Sequence, residues 1–283
     1  MKLFLGLVKG PTRLIAAGIL FAITVAPQSS QAWSYVITNG NSSVTVQADT
    51  DYGMSDWTVD GQTQLYKQWF WYRTGTTSKE KAINSLSSTS ELLNPSTLNS
   101  LYTGNNFKID VTYSLFGGAD GSGSSAITEQ IKISNLTGSA LDFHFFQYVD
   151  FDLGGSYLGD TVYLEQNLQG LFEKAYQTKG NAYFADEIVS PAASHGEVGL
   201  SQSILTKLTD ASATTLNDSV GPVTGDAVWA FQWDMLIPSY SSYTIAINKS
   251  VYVAPIPEPS ALALLSVGTI LLGVARRRLG LRK

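Results

Sequence analysis

A pair of aspartates, Asp150 and Asp152, is the first feature of the sequence with chemical potential. Alternate residues of a β-strand project from the same face, so both carboxylates can converge on one point. A Gly154–Gly155 loop and Asp160 follow closely. Converging carboxylates and loop carbonyl oxygens are the ligands that Ca²⁺ takes in proteins. The pair could instead act as the acid and base of a glycoside hydrolase, or remain two solvated side chains at the end of an edge-facing strand.

Glu165 and the two histidines are the other candidates for polar chemistry. Glu165 could join either aspartate in a hydrolase. His144 lies between two phenylalanines, which favours a hydrogen-bonded structural role, and His195 lies in a Ser-His-Gly loop. The histidines do not have zinc-ligand spacing, and the chain has no Gly-x-Ser-x-Gly elbow. The sequence therefore assigns no catalytic residue and no metal site or cofactor beyond a possible Ca²⁺.

A strand rich in aromatic residues is expected over Gln64–Tyr72. Trp69 and Trp71 fall on one face of this strand, and three further aromatic residues fall on the other. Burial in the core is the simplest interpretation of both faces. The alternative is that Trp69 and Trp71 form a flat surface on which the apolar face of a sugar ring stacks.

The elements that must position these residues have the patterns of antiparallel strands. Phe107–Phe116 alternates strictly between apolar and polar residues, and we expect it to pair with Ala126–Ser134 as a hairpin. A long strand over Leu141–Leu153 carries the aspartate pair. We expect Ala227–Leu236 and Tyr243–Val253 to close the domain as a second hairpin.

The remaining strands are shorter, and two regions are irregular. We expect 76–103 to be an excursion from the sheet, and 190–226 to be irregular with a short helix around Ser201–Leu208. Turn residues at short intervals separate about ten to twelve strands, which predicts an all-β, two-layer antiparallel β-sandwich. The patterns over 127–153 and 229–253 resemble the large β-sandwich domains attached to carbohydrate-active enzymes. The strands not named above are expected over 33–37, 44–48, 57–59, 161–167, 171–178 and 182–188.

The charge of the expected β-sandwich body, residues 33–254, excludes several classes of partner. Residues 33–257 carry 10 Lys and Arg against 22 Asp and Glu, a net charge of −12. Such a surface repels nucleic acid and anionic lipid, and it suits a soluble exported protein. The chain has no cysteine, so disulfides and thiolate chemistry are excluded.

The first 32 residues have the features of a secretory signal peptide. Three basic residues, the last of them Arg13, precede an apolar stretch over 14–26. Small residues then lead to an expected signal-peptidase cleavage site between Ala32 and Trp33. We expect these residues to form a signal helix that is removed from the mature protein.

The C-terminal residues 255–283 form a second targeting segment. An apolar run of 15 residues over 261–275 would be ~22 Å long as a helix, a short transmembrane span whose flanking arginines can reach the interface. Basic clusters remain on the cytoplasmic side, so the body would lie on the other side of the membrane. The run is flanked by a Pro-Glu-Pro tripeptide and an arginine cluster, namely Pro257, Glu258, Pro259, Arg276, Arg277 and Arg278.

This C-terminal arrangement resembles the PEP-CTERM sorting signal. The resemblance implies export by a Gram-negative bacterium that makes exopolysaccharide, and cleavage near Pro257 by an exosortase-type enzyme of the inner membrane. It covers about 27 residues and therefore predicts routing, not the role of the body. A plain tail anchor is the alternative.

Together these features predict an exported protein of the cell surface or extracellular matrix, including a biofilm matrix. Its partners would be signal peptidase, an exosortase-type enzyme, transiently the membrane, and polysaccharide. The body would be structural, adhesive or carbohydrate-binding and without enzymatic activity. A secreted glycoside hydrolase-like enzyme that uses a carboxylate pair is the alternative, and a calcium-stabilised module is the third hypothesis.

Overall fold

The computed structural model describes residues 34–254, and these residues form two stacked antiparallel β-sheets. The predicted signal helix, its cleavage site and the predicted transmembrane helix lie outside the described residues. Among residues 34–254 no helix has the length and apolar character needed to cross a bilayer. The strands are β1 (Ser34–Asn39), β2 (Ser42–Gln47), β3 (Gly53–Val59), β4 (Gln62–Thr74), β5 (Lys81–Ala82), β6 (Ser87–Asn94), β7 (Thr97–Thr103), β8 (Phe107–Gly117), β9 (Ser124–Asn135), β10 (Leu141–Phe151), β11 (Asp160–Gln166), β12 (Phe172–Lys179), β13 (Tyr183–Ala193), β14 (His195–Leu200), β15 (Val223–Gly225), β16 (Ala227–Ile237) and β17 (Ser242–Val253).

The order of the strands within each sheet places long strands at the centre of the sandwich. Sheet A runs β1-β2-β3-β4-β10-β16-β14, with β5 pairing to β4. Sheet B runs β15-β11-β12-β13-β17-β9-β8-β7-β6. A single short helix, α1 (Gln202–Thr209), and a 3₁₀ turn (Ile83–Ser85) complete the described elements. The prediction of an all-β, two-layer antiparallel sandwich is confirmed for this part of the chain.

The predicted hairpin of β8 and β9 is confirmed. Ile109 pairs with Ile133, and Leu115 pairs with Ile127. The buried residues of β8 alternate with half-buried ones, as the sequence pattern predicts. Directly opposed residues in an antiparallel pair share a face, so this hairpin contributes a continuous apolar row to the core.

The predicted hairpin between the last two strands is wrong. β16 lies in sheet A between β10 and β14, whereas β17 lies in sheet B between β13 and β9. The connection contains Tyr240 at a φ of 54°, and the Ser241 amide donates to the Pro238 carbonyl. Seven consecutive residues of β16, from Ala227 to Trp233, are buried, which requires packing on both faces. The short connection therefore carries the chain from one layer to the other.

The two regions expected to be irregular contain much of the additional β-structure. β5, β6 and β7 lie within 76–103, and β14 and β15 lie within 190–226, so the described residues hold seventeen strands. β6 forms the edge of sheet B, and its side chains are half-buried or exposed. Backbone pairing at such an edge does not require an apolar pattern. The predicted helix is present as α1.

The strand β10 is central and is covered on both faces. Its residues 143–151 are all buried, so it is not the edge-facing strand that solvated aspartates would require. Phe143 packs on Phe107 of sheet B at a centroid distance of 5.0 Å. On the other face, where His144 opposes Arg73, the Arg73 guanidinium donates to the Thr214 carbonyl at 3.2 Å. A segment outside the sheets therefore covers the outer side of sheet A.

Candidate functional site

The site forms where β10 ends, beside an irregularity in its pairing with β4. Lys67 pairs with Asp150, but the next pair along the ladder is Leu65 with Phe151. Tyr66 is therefore skipped in the register, as in a β-bulge. A bulge changes the direction of the side chains around it. Here Tyr66 and Asp150 both line the same pocket.

Three carboxylates converge at this end of the strand. Asp150 belongs to β10, Asp152 follows it, and Asp226 immediately precedes β16. Each offers one oxygen, and these three oxygens lie within 4.8 Å of one another. Because β16 is antiparallel to β10, the start of β16 meets the end of β10. That pairing places Asp226 beside the other two aspartates.

The predicted convergence of Asp150 and Asp152 is present, but the sequence interpretation missed Asp226. Asp226 is distant in sequence from the pair, and the sequence pattern predicts that β16 pairs with β17, whereas it pairs with β10. The sequence does show an acidic residue, Asp226, directly before the strongly apolar strand β16. This position identifies Asp226 as a site residue only when β16 is known to pair with β10.

The carboxylates lie in a pocket of about 250 Å³. Two exposed tyrosines line it, Tyr66 with 47 % and Tyr157 with 55 % of its surface accessible. Ser201 and Gln202, at the start of α1, line it as well. The pocket therefore combines aromatic surface with acidic and neutral polar groups.

Asp150 is the most deeply buried member of the cluster, with 4 % of its surface exposed. Its Oδ2 accepts a hydrogen bond of 3.0 Å from the Tyr148 hydroxyl. Its Oδ1 is buried and has no hydrogen-bond partner among the described residues. Burial raises the pKa of Asp150 to about 7, and repulsion from Asp152 and Asp226 acts in the same direction. Burial also raises the pKa of Asp152.

Asp160 and Glu165 do not join the three carboxylates. Asp160 belongs to β11 of sheet B, is fully buried and lies 3.8 Å from the Lys179 ammonium group. Burial raises the pKa of Asp160 to about 7, and Lys179 opposes that effect. Glu165, on the same strand, accepts a hydrogen bond of 3.2 Å from the Tyr176 hydroxyl. The strand that carries both residues belongs to the other layer, so neither lines the pocket with Asp150.

Trp69 and Trp71 are not exposed, so neither presents the open ring that the stacking hypothesis requires. Their exposed fractions are 0 % and 2 %. The Trp69 indole donates to the Asn84 side chain at 3.0 Å, and Trp71 packs edge-on against Tyr148. These contacts and their burial account for both side chains as parts of the packed interior. The exposed aromatic residue of the same strand is Tyr66.

The two histidines of the chain meet at one aspartate. His144 Nδ1 lies 2.5 Å from Asp234 Oδ1, and His195 Nε2 lies 3.4 Å from Asp234 Oδ2. Asp142 and Asp218 flank this group at 3.4 and 3.0 Å. The strands β10, β16 and β14 bring the residues together. Alternating carboxylates and imidazoles form a polar network at this edge of sheet A, which agrees with the hydrogen-bonded role expected for His144. His195 begins β14 and does not lie in the expected loop.

A second groove is larger, at about 760 Å³, and has a different chemical character. It is lined mainly by Ser, Thr and Asn residues, with Tyr72, Phe107 and Lys81. No aspartate or glutamate lines it among the described residues. Of the two sites, only the smaller pocket combines converging carboxylates with strongly exposed aromatic rings.

The fold of this chain is similar to the folds of several solved structures. A bacterial glucoamylase complexed with acarbose is 13 % identical with a TM-score of 0.56, covering 84 % of this chain and 34 % of that chain. A putative aldose 1-epimerase from Escherichia coli K12 is 10 % identical with a TM-score of 0.53, covering 78 % and 99 %. A protein from Synechocystis sp. PCC 6803 is 11 % identical with a TM-score of 0.55, covering 79 % and 96 %. This chain therefore spans about a third of the glucoamylase, and the likeness defines its fold class, a large β-sandwich.

The C-terminal sequence gives the second part of the identification. Residues 255–279 match the PEP-CTERM protein-sorting motif, which confirms the resemblance seen in the Pro-Glu-Pro segment and arginine cluster. The motif indicates an exported protein that is transiently anchored in the membrane and processed by an exosortase-type membrane enzyme. A search of curated protein sequences finds no significant match.

Proposed function

We propose that the β-sandwich body binds carbohydrate outside the cell, through the pocket of Tyr66, Tyr157 and the three aspartates. The observation that carries this proposal is the placement of two exposed tyrosine rings around one buried and two half-buried carboxylates in one pocket. A binding site of this kind needs apolar surface for contact area and a few placed polar groups for orientation.

The chemistry of a sugar ring matches both parts of the pocket. Its C–H face is apolar and packs on a tyrosine ring, while the tyrosine hydroxyl stays in contact with water. Its hydroxyl groups donate to carboxylate oxygens, and charged acceptors form the stronger hydrogen bonds. The Ser201 hydroxyl and Gln202 amide supply neutral partners at the rim. The volume of about 250 Å³ accommodates one sugar unit rather than a long chain segment.

The names of two similar structures, a glucoamylase and an aldose 1-epimerase, refer to carbohydrate substrates. At 10 to 13 % identity they do not carry residue roles to this chain, but they are compatible with carbohydrate handling by the fold. The export motif and the acidic body favour action at the cell surface or in an extracellular polysaccharide or biofilm matrix.

A glycan array tests this proposal. The exported protein is compared with Tyr66→Ala and with Tyr252→Ala, a control whose side chain is 45 % exposed against 47 % for Tyr66. We expect the wild type and the control to bind the same glycans, and Tyr66→Ala to lose at least about tenfold in affinity, which corresponds to about 1.4 kcal/mol. Absence of glycan binding by the wild type, or equal binding by all three proteins, would contradict the proposal.

A glycoside hydrolase is the second candidate, because carboxylate oxygens within 4.8 Å approach the separation of about 5 Å typical of retaining enzymes. The assay is the release of reducing ends from every glycan that the array identifies. A hydrolase would release them at a rate that Asp152→Asn lowers by several orders of magnitude. A binding protein would leave the glycans intact.

Processing at both ends is tested by the intact mass of the exported protein. We propose that signal peptidase cuts between Ala32 and Trp33, and that the exosortase-type enzyme cuts near Pro257. The expected mass is that of a chain from Trp33 to the neighbourhood of Pro257. A mass that includes the arginine cluster would indicate a plain tail anchor.

A further inference from the structure

We infer that Asp150, Asp152 and Asp226 form a binding site for one divalent cation, and that Ca²⁺ is the ion whose chemistry fits them. The inference goes beyond carbohydrate binding and does not require it. It rests on the convergence of three carboxylates and on a buried oxygen that has no hydrogen-bond partner within residues 34–254.

The spacing of the three carboxylates suits a single ion. Ca²⁺ binds oxygen ligands at about 2.3–2.6 Å, so two ligands of one ion lie at most about 5 Å apart. The oxygens offered by the aspartates lie within 4.8 Å of one another. One ion can therefore contact all three without moving any strand.

Lysines act on the cluster only at longer range, with Lys67 opposite Asp150 on β4 and Lys179 near Asp152. Among residues 34–254 no ion pair joins a lysine, arginine or histidine to any of these three aspartates. Asp150 is 4 % exposed, and its buried Oδ1 has no hydrogen-bond partner among the described residues. A buried carboxylate without a direct ion pair is costly. An ion in the pocket would supply a positive charge in direct contact and a partner for Asp150 Oδ1.

The donor set favours a hard cation. All three side chains are carboxylates, and neither histidine of the chain lines the pocket. Zn²⁺ and Cu²⁺ prefer sites with nitrogen or sulfur ligands. Ca²⁺ takes six to eight oxygens in flexible geometry, and the pocket of about 250 Å³ has room for water or ligand hydroxyls to complete its shell. Mg²⁺ needs a near-ideal octahedron and should bind less well.

The ion would connect parts of the chain that are distant in sequence. Asp150 and Asp152 lie at the end of β10, and Asp226 lies between β15 of sheet B and β16 of sheet A. Binding should therefore stabilise the folded state as well as organise the pocket. With three protein carboxylates, we expect a dissociation constant in the range of extracellular calcium modules, about 10⁻⁴–10⁻³ M.

The test is a titration of the exported protein with CaCl₂ in the absence of sugar, by calorimetry and by thermal unfolding, with MgCl₂ and matched NaCl as ionic controls. Asp226→Asn is compared with Asp120→Asn, which removes the same charge from an exposed loop position. For the wild type and Asp120→Asn we expect one bound Ca²⁺ and a Tm increase of at least about 3 °C at 10 mM CaCl₂. Asp226→Asn should lose at least tenfold in Ca²⁺ affinity and most of the increase in Tm.

The behaviour without metal separates a cation site from general damage to the fold. In EDTA, Asp226→Asn should unfold at the same temperature as the wild type or higher, because it removes repulsion between like charges. Asp152→Asn provides a second variant with the same expectation. The inference is overturned if the wild type binds no Ca²⁺, or if Asp226→Asn and Asp152→Asn retain its full Ca²⁺ response. Because no sugar is present, failure here leaves the result of the glycan array unaffected.

Discussion

Lys249 and Glu129 form an ion pair at the centre of the sandwich, with 3.0 Å between Nζ and Oε2 and both side chains fully buried. Glu187 lies 3.7 Å from the same ammonium group. The Gln68 amide of sheet A donates to the same Glu129 oxygen at 3.1 Å. One lysine of sheet B therefore contacts two buried carboxyl groups, and an amide links Glu129 to the opposite sheet.

Replacing Lys249 with Met should destabilise the fold strongly. The variant leaves two buried glutamates without their cation, and the loss of one partner of a buried pair costs about 3–5 kcal/mol. Lys174→Met is the control, because that lysine forms a more exposed pair with Asp186 at 3.5 Å and should cost about 1 kcal/mol or less. Chemical denaturation gives both values. Similar losses for the two variants would show that the central pair has no special role.

The central acidic group should also make stability depend on pH. Burial raises the pKa of Glu187 to about 7, with repulsion from Glu129 in the same direction and attraction to Lys249 opposing it. Because the folded-state pKa lies above the unfolded value of about 4.5, the protonated form favours folding. The stabilising contribution is complete below about pH 4.5 and is lost as the pH rises towards 7.

The variant Glu187→Gln measures that contribution directly. Its free energy of unfolding should change less than that of the wild type between pH 4.5 and 7, by on the order of 3 kcal/mol. Denaturation curves at several pH values provide the comparison, with Glu165→Gln, a substitution of an exposed side chain on β11, as the control. If Glu187→Gln and wild type show the same pH dependence, Glu187 is not the group responsible.

Gly53 should not tolerate a side chain. Its φ is +66°, and an added Cβ would collide with the Trp69 ring and the Gln68 carbonyl. Gly61 has a similar φ of +78°, but an added Cβ there would have no atom within 4 Å. Both Gly→Ala variants incur the backbone strain of about 1 kcal/mol, and only Gly53→Ala adds the collision. We expect a further loss of about 2 kcal/mol by denaturation, and equal losses would contradict the described packing.

The last strand should be indispensable, whereas the tail should not be needed for folding. β17 lies between β13 and β9, the Val253 amide donates to the Gly123 carbonyl, and the Ala254 amide donates to the Ala182 carbonyl, both at 2.7 Å. A chain that ends at Ala254 retains these bonds and should unfold cooperatively. A chain that ends at Asn248 lacks Lys249 and half of a central strand, and should be unfolded by circular dichroism and proteolysis. Folding of the shorter chain would refute this assignment.

The parts of the fold that can be predicted from the sequence are those with a pattern of apolar and polar residues within one strand. The strict alternation over β8 predicts its pairing with β9, and the turn residues between the strands predict the sandwich. β10 and β16 are buried on both faces, so they lack such an alternation, and their pairing depends on contacts across the sheet. The sequence therefore could not place Asp226 beside Asp150.

The aromatic part of the site was missed for a related reason. Alternation along β4 places Tyr66 on the face opposite Trp69 and Trp71, but a one-residue register shift between β4 and β10 leaves Tyr66 unpaired and allows it to line the pocket with Asp150. Residue type alone favours tryptophan as the surface on which a sugar stacks. The sequence over 64–72 has no feature that predicts the β-bulge at Tyr66. Tyr157 comes from a loop after β10, and no periodicity relates it to Tyr66. The sorting motif could be read directly, because its residues are contiguous.

The position of a bound sugar tests the central claim most directly. A crystal structure of the exported protein with the tightest-binding glycan from the array is the measurement. We predict a sugar ring against Tyr66 or Tyr157, with its hydroxyl groups within hydrogen-bond distance of Asp150, Asp152 or Asp226. A sugar in the groove of Tyr72 and Phe107, with the carboxylate pocket empty, would contradict the account.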